Sequence, residues 1–244
     1  MPAAEKKPRR ILCIDVGGSG LKAAVISPTG KFLVKRTRIK TPKRRKPRDI
    51  VKALAALAAP MGDFDHVTIG FPGMVKGGRV ISAPHFGTKD WKGFDLAAAM
   101  RKQWKRPVKL LNDADVQGLA VIAGKGLELV CTLGTGFGTA WFRDGELMPH
   151  MDLAHLTVHR KYDLDVYVGD LARRKIGHGR WNRRVKKLIA VLATVFGYDQ
   201  LYLGGGNSRW VKFKLPRNVT IVSNDAGMEG GAFAWRQPRG KASS

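Results

Sequence analysis

Two stretches of this chain follow one hydrophobic plan. Residues 11–25 run apolar through Ile11, Leu12, Cys13 and Ile14 to a single carboxylate, Asp15. They turn through Gly17, Gly18, Ser19 and Gly20 and leave through Leu21, Ala23, Ala24 and Val25, with Lys22 among them. Residues 129–142 repeat the pattern: Leu129, Val130, Cys131 and Leu133 lead into Gly134, Thr135 and Gly136, and Ala140, Trp141 and Phe142 lead out. Apolar runs of strand length on either side of glycine predict strand, turn, strand in both places. Each copy then reaches a second polar turn with a glycine, at 27–30 and at 143–145. The chain therefore reads as two halves built alike.

Further strands are predicted at 32–39, 66–70, 108–111, 200–203 and 218–222. Helical spacing marks 50–59, 96–104 behind the N-cap Asp95, and 116–123. A helix from 165 or 166 to about 175 is broken at Gly177, His178 and Gly179, and a long helix follows over 180–196. A glycine-containing helix is predicted over 224–235. A short hairpin turns at Gly77 and Gly78, and residues 82–95 and 149–168 read as irregular. Strand meanders followed by helix–strand alternation give an α/β chain with a mixed sheet in each half.

Length and composition narrow the class. A chain of 244 residues with 44% hydrophobic content can bury a sizeable core. No apolar run is long enough to span a bilayer, and the basic residues 1–10 lead straight into a strand rather than a signal-type apolar segment. The expectation is a cytoplasmic protein with no membrane partner. Two cysteines, both in predicted buried strands, cannot build a disulfide framework. The net charge of +25 is the unusual global feature. It calls for a polyanion, and nucleic acid, anionic membrane and inorganic polyphosphate are the candidates. Neither a helix-turn-helix nor an aromatic-interleaved RNA motif is present, so nucleic acid is not expected as a specific partner.

The glycine turns supply candidate chemistry. Bare backbone N–H groups at such turns can approach an anion closely. Gly17, Gly18, Ser19, Gly20 and Lys22 in the first copy, and Thr135 and Gly136 in the second, are candidate phosphate contacts. Gly205 and Gly206, in a third glycine turn after a predicted strand, join them. Asp15 has no counterpart in the second copy, where Leu133 stands, so one half alone would handle Mg²⁺, through water. Asn112 and Asp113 end a predicted strand, where α/β sheets bind ligands. Asp113 can accept a proton from a hydroxyl attacking phosphorus or can cap the next helix; the two roles are compatible.

Asp152, His155 and His159 have spacings that suit zinc on a helix, but Pro149 and the extended-favouring Thr157 and Val158 oppose that. No zinc is expected, and a carboxylate and an imidazole holding sugar hydroxyls is the better reading. Arg180, Arg183, Arg184 and Lys187 fall at i, i+3, i+4 and i+7, one stripe near the start of the long helix. The helix dipole and mutual repulsion both disfavour cations there, and a bound polyanion would relieve both. The stripe is thus a candidate polyphosphate track.

These residues resemble those of the ROK-family sugar kinases, in their polyphosphate-using branch. The carriers are Asp15-Val-Gly-Gly-Ser-Gly-Leu-Lys22, Gly70-Phe-Pro-Gly73, Leu111-Asn-Asp-Ala-Asp-Val-Gln-Gly118, Leu133-Gly-Thr-Gly-Phe-Gly138, Leu203-Gly-Gly-Gly-Asn207 and Asn224-Asp-Ala-Gly227. The resemblance implies an actin/hexokinase-like (ribonuclease H-like) two-lobed fold with a cleft between the lobes. It implies a basic tail at 1–10, an N-terminal lobe over 11–112, a C-terminal lobe over 113–224, a helix at 225–235 packing back toward the first lobe, and a tail at 236–244.

It also implies phosphate transfer to a hexose 6-hydroxyl, glucose foremost, from polyphosphate and also ATP, with Mg²⁺ and a homodimer. Asp113 matches the catalytic base. Asn112, Asp152, His155, Gly73 and His85 match the sugar site. Three departures stand out: Asp152 where a Glu is usual, Ala154 where a Gly is usual, and His85 where an Asn is common. The alternatives are an ATP-dependent kinase of another sugar or polyol, and a non-catalytic polyanion-binding protein.

Overall fold

The computed structural model describes residues 9–159, 161–223 and 227–236. Most of both expected tails, and the start of the last predicted helix at Asn224, Asp225 and Ala226, lie outside the described residues. The chain divides into two compact units, Met1–Ala120 with Gly227–Ser244, and Val121–Ala226.

The first unit begins with the meander β1 (Ile11–Val16), β2 (Gly20–Ile26) and β3 (Phe32–Lys40). Then come α1 (Pro47–Ala58), β4 (His66–Phe71), the short hairpin β5 (Val75–Lys76) and β6 (Arg79–Val80), and α2 (Thr88–Trp91). It continues with α3 (Leu96–Trp104), β7 (Val108–Asn112) and α4 (Asp113–Val121). The sheet order is β3-β2-β1-β4-β7, antiparallel among the first three and parallel from β1 through β4 to β7.

One sheet face presents Leu12, Ile14, Leu21, Val25, Val67 and Ile69 to the helices. Ile50, Leu54 and Leu57 of α1, at i, i+4 and i+7, close on it. Pro47 starts α1, where its missing N–H costs nothing. Asp95 caps α3 by accepting from the Ala98 N–H at 2.7 Å. The stretch at 82–95 is not wholly irregular, since α2 forms within it. The helix predicted over 116–123 starts earlier, at Asp113.

The second unit holds β8 (Leu127–Leu133), β9 (Phe137–Arg143) and β10 (Glu146–Leu147). It continues with β11 (Thr157–His159), β12 (Tyr162–Asp163), α5 (Leu164–Val168), α6 (Asp170–Phe196), β13 (Gln200–Gly204) and β14 (Val219–Ile221). Its sheet runs β10-β9-β8-β13-β14, antiparallel among the first three and parallel across the last three. Strand for strand this is the plan of the first sheet, so the repeated hydrophobic pattern extends to topology. The break predicted at 177–179 is present: Gly177, at φ 77° and ψ 161°, leaves the helical region and divides α6 into two helical segments that meet at a kink. Beyond it Trp181, Val185, Leu188, Ile189 and Leu192 form the buried stripe. The stretch over 149–168, expected to be irregular, contains a 3₁₀ turn at Leu153–His155, the β11–β12 hairpin and α5.

The last element, α7 (Glu229–Phe233), belongs to the first unit. Met228 and Ala232, with Phe233 and Trp235, cover Ile11, Cys13, Ala24 and Ile26 on the sheet face away from α1. The Thr68 hydroxyl donates to the Gly231 carbonyl at 2.6 Å and accepts from Trp235 Nε1 at 2.9 Å. Among the described residues no helix is long and apolar enough to cross a membrane.

Candidate active site

In the first unit the parallel strands β1, β4 and β7 end side by side, with Asp15, Gly70 and Leu111 aligned one residue before their ends. Register puts Arg38, Lys22, Asp15 and Gly70 in one cross-strand row, so their side chains share a face. Lys22 Nζ donates to Asp15 Oδ2 at 2.8 Å. A side chain at Gly70 would lie against the first turn of α4, 3.7 Å from the Asp113 α-carbon.

The turn between β1 and β2 is closed by the Gly17 N–H donating to the Gly20 carbonyl at 3.0 Å, and the Thr41 hydroxyl donates to the Gly17 carbonyl at 2.6 Å. Gly18 and Ser19 are exposed at its tip. Among the described residues their N–H groups have no protein partner, the condition for an anion nest.

Asp113 is the first residue of α4, half-buried, and its Oδ1 accepts from the Ala114 N–H at 2.9 Å. Asn112 is buried. Its amide donates to the Gly73 carbonyl at 3.0 Å, and its oxygen accepts from Ala114 N–H at 2.8 Å. Asn112 thereby ties the Gly73 loop to α4. Gly73 packs so tightly on the Ser82 carbonyl that no side chain fits. His85 lies exposed on the loop that follows Ser82, and Arg45 fixes that loop by donating to the His85 carbonyl at 2.7 Å. Gly73, Asn112 and Asp113 are thus linked through one set of contacts.

The second unit repeats the turn with different bracing. The Gly134 N–H donates to the Gly136 carbonyl at 2.9 Å, and Thr135 is exposed. Among the described residues the N–H groups of Thr135 and Gly136 have no protein partner. Asp165 Oδ1 accepts from the Phe137 N–H at 2.6 Å. Asn207 donates to the Gly134 carbonyl through its side chain at 2.8 Å and to the Leu133 carbonyl through its backbone at 2.8 Å. Gly205, at φ +83°, brings the third glycine turn onto the Leu133 backbone, where a Cβ would collide. Gly206 is exposed beside it. The Asp170 N–H reaches the Gly134 and Thr135 carbonyls at 3.1 and 3.2 Å, and its carboxylate binds Arg173 and Arg174 at 2.7 Å each. The Arg173 hydrogen bond holds the Asp170 carboxyl below the usual carboxylate range; burial opposes this and the Arg174 charge assists.

Asp152 and His155 lie at the two ends of the 3₁₀ turn. Asp152 caps it, accepting from Ala154 N–H at 3.1 Å, and His155 is exposed with Nδ1 3.5 Å from Asp163 Oδ2. Along α6, Arg180, Arg183 and Lys187 are exposed. Arg184 is half-buried, donates to the Tyr167 carbonyl at 2.9 Å and stacks 4.5 Å over the Tyr167 ring. Within the proposed stripe, one cation is therefore held by α5.

Sequence reading did not identify Asp163, Asp165, Asp170 and Arg173. Asn207 was visible as the end of the glycine motif but carried no assigned role. Among the described residues no three His, Cys, Asp or Glu side chains gather around a metal position. The Asp15 carboxylate, about one-third exposed, fits a Mg²⁺ that takes one protein oxygen and fills its shell from water and donor phosphate.

Residues 11–153 match the family model of the ROK family. The polyphosphate glucokinase of Mycobacterium tuberculosis is 30% identical over 237 residues, covering 91% of this chain and 89% of that protein. The crystal structure of the inorganic polyphosphate/ATP-glucomannokinase from Arthrobacter sp. strain KM superposes with a TM-score of 0.82 at 29% identity, over 93% of this chain and 98% of that one. A ROK-family glucokinase from Streptomyces griseus, solved with glucose and AMPPNP, has a TM-score of 0.75 at 19% identity, over 91% and 98% of the two chains. The fold is the two-lobed actin/hexokinase-like one.

Proposed function

The chain belongs to the ROK family, and on that footing we propose that it is a sugar kinase moving a phosphate from inorganic polyphosphate, and also from ATP, to the 6-hydroxyl of glucose. The observation that carries the reading is the near full-length likeness to a polyphosphate glucokinase. It is supported by Asp113 at the head of α4, beside the Asp15 row.

In this reading Asp113 accepts the proton of the sugar hydroxyl as that oxygen attacks the terminal phosphorus. The bond from phosphorus to the bridging oxygen breaks, and the shortened donor leaves with the electron pair. General-base help of this kind contributes about 10²–10⁴-fold. The open N–H groups of the two glycine turns and Lys22 hold donor oxygens, and Gly205 and Gly206 back the second turn. Mg²⁺ bound at Asp15 through water would offset phosphate charge. Asn112, Gly73, His85, Asp152 and His155 form the sugar-binding set, and Arg180, Arg183 and Lys187 are further candidate contacts for polymer. A homodimer and a cytoplasmic location accompany the reading.

A second reading keeps the chemistry and broadens the acceptor. Asp152, Ala154 and His85 are departures in the sugar set, and the Arthrobacter relative is named for glucose and mannose together. The test is the purified chain with glucose or mannose, polyphosphate or ATP, and Mg²⁺, with hexose 6-phosphate as the product detected. Formation from glucose and polyphosphate is expected. No hexose phosphate from any pairing would overturn the proposal.

A further inference from the structure

The two glycine turns differ in their charge. At the second, the nearby ions are matched: Arg173 and Arg174 are both bound to Asp170, and Arg173 also to Asn207 and His178. At the first they are not. Lys22 neutralises Asp15, but the adjoining strand β3 carries Arg36, Arg38 and Lys40, all exposed. Among the described residues the side chains of these three have no hydrogen-bond or ion-pair partner. Arg38 pairs with Lys22 and so lies on the face of Lys22 and Asp15, Lys40 shares that face two residues on, and Arg36 stands at the bulge where β3 shifts register against β2. Ile39 packs toward the core on the other side.

The Arg38 guanidinium lies over Gly20 at the mouth of the first turn, occupying the space a Cβ at residue 20 would need. Thr41, directly after β3, is bonded to the same turn through Gly17.

We propose that β3 is a binding ridge for an extended inorganic polyphosphate chain, running from the first glycine turn along Lys40, Arg38 and Arg36. Alternate residues on a strand repeat every ~6.7 Å. Each cation therefore lies within a Debye length of the next, and their repulsion is unrelieved until a polyanion lies along them. Edge strands often carry basic residues to block sheet addition. That role requires charge at the edge. It requires neither a common face nor a glycine that makes room for a guanidinium. No aromatic residue stands between Arg36 and Lys40 to stack bases, so the ridge suits a phosphate polymer over single-stranded nucleic acid. The inference rests on the polyphosphate kinase reading and specifies where the polymer lies.

The test compares the unaltered protein with the double variant Arg36→Gln/Arg38→Gln and with Arg180→Gln/Arg183→Gln on α6. Turnover of glucose is measured with long-chain polyphosphate and with tripolyphosphate. The β3 variant should lose about tenfold in the ratio of long-chain to short-chain kcat/KM, one contact's worth of binding. An unchanged ratio in that variant, or a fall only in the α6 variant, overturns the ridge. Direct binding of long-chain polyphosphate is followed against salt in parallel. The salt slope should flatten by roughly 0.7 for each cation removed. This arm reports on the ridge even if no phosphate is transferred, so failure of the ridge and failure of the kinase reading are separable. Single-stranded DNA competing as well as polyphosphate of equal charge overturns the choice of polymer.

Discussion

Asp15 and Lys22 stand directly opposite each other across the β1–β2 hairpin, in register, with 2.8 Å between Oδ2 and Nζ. Both are about one-third exposed, so the pair contributes little to stability, under ~1 kcal/mol. Its value lies in placing a carboxylate and an ammonium at one end of the glycine turn. Lys22→Met should leave the melting temperature within a few degrees and raise KM for the phosphate donor about tenfold, an effect that falls as salt increases. Kinetics at two ionic strengths check it. An unchanged donor KM would remove Lys22 from the site.

Asp113→Asn keeps the cap geometry, since an amide oxygen still accepts from Ala114. The variant should fold and bind polyphosphate normally while losing about 10²–10⁴-fold in kcat. Steady-state turnover and a thermal melt on the same sample separate chemistry from folding. Full activity in the variant would reassign the base.

Asn207 is the brace of the second turn, joining the Gly134 carbonyl to Arg173. Asn207→Ala should lower stability by about 1 kcal/mol, the loss of a side-chain hydrogen bond to a carbonyl that the Asp170 N–H still reaches. The turn carrying Thr135 and Gly136 loosens with it, so donor KM should rise as well. Urea unfolding and donor titration measure the two effects independently.

The Asp170 pair gives a pH dependence of known sign. Its carboxyl is lowered below 3.8, so the stability it lends is complete above 3.8 and is lost as pH falls through the lowered value. Melts from neutral pH to about pH 3 should decline more steeply in the unaltered protein than in Asp170→Asn, which lacks this carboxylate. Identical profiles would show that the ion pair is not coupled to folding.

Cys13 and Cys131 are both free and buried, and burial pushes both thiols far above their ordinary value. A thiol reagent at neutral pH should modify neither in the folded protein and both once it is denatured. Labelling followed by mass measurement decides it.

The glycine hairpins, the strands after them and the helix from residue 180 were legible because hydrophobic spacing and turn residues are local signals. The place of Asp113, at the junction of a strand and a helix, was legible from the residue types on either side. The start of α4 was placed three residues late, since Asp113 and Asp115 read as cap and loop rather than as a helical first turn. The roles of Asp165 and Asn207 were not legible. Each reaches a backbone group 28 or 73 residues away in sequence, and no local pattern encodes that contact. The stripe at 180–187 was read at the right helical spacing, yet Tyr167 on a neighbouring element claims Arg184. The β11–β12 hairpin escaped because its strands are only three and two residues long, too short to show alternation.

The return of α7 to the first sheet bears on how the chain is made. Ile11, Cys13, Ala24 and Ile26 leave the ribosome well before their cover, Met228 and Ala232. The nascent sheet must therefore hold one greasy face bare while the whole of Val121–Ala226 is synthesised. That interval is when a chaperone would be needed, and premature termination anywhere within it would release a sticky fragment.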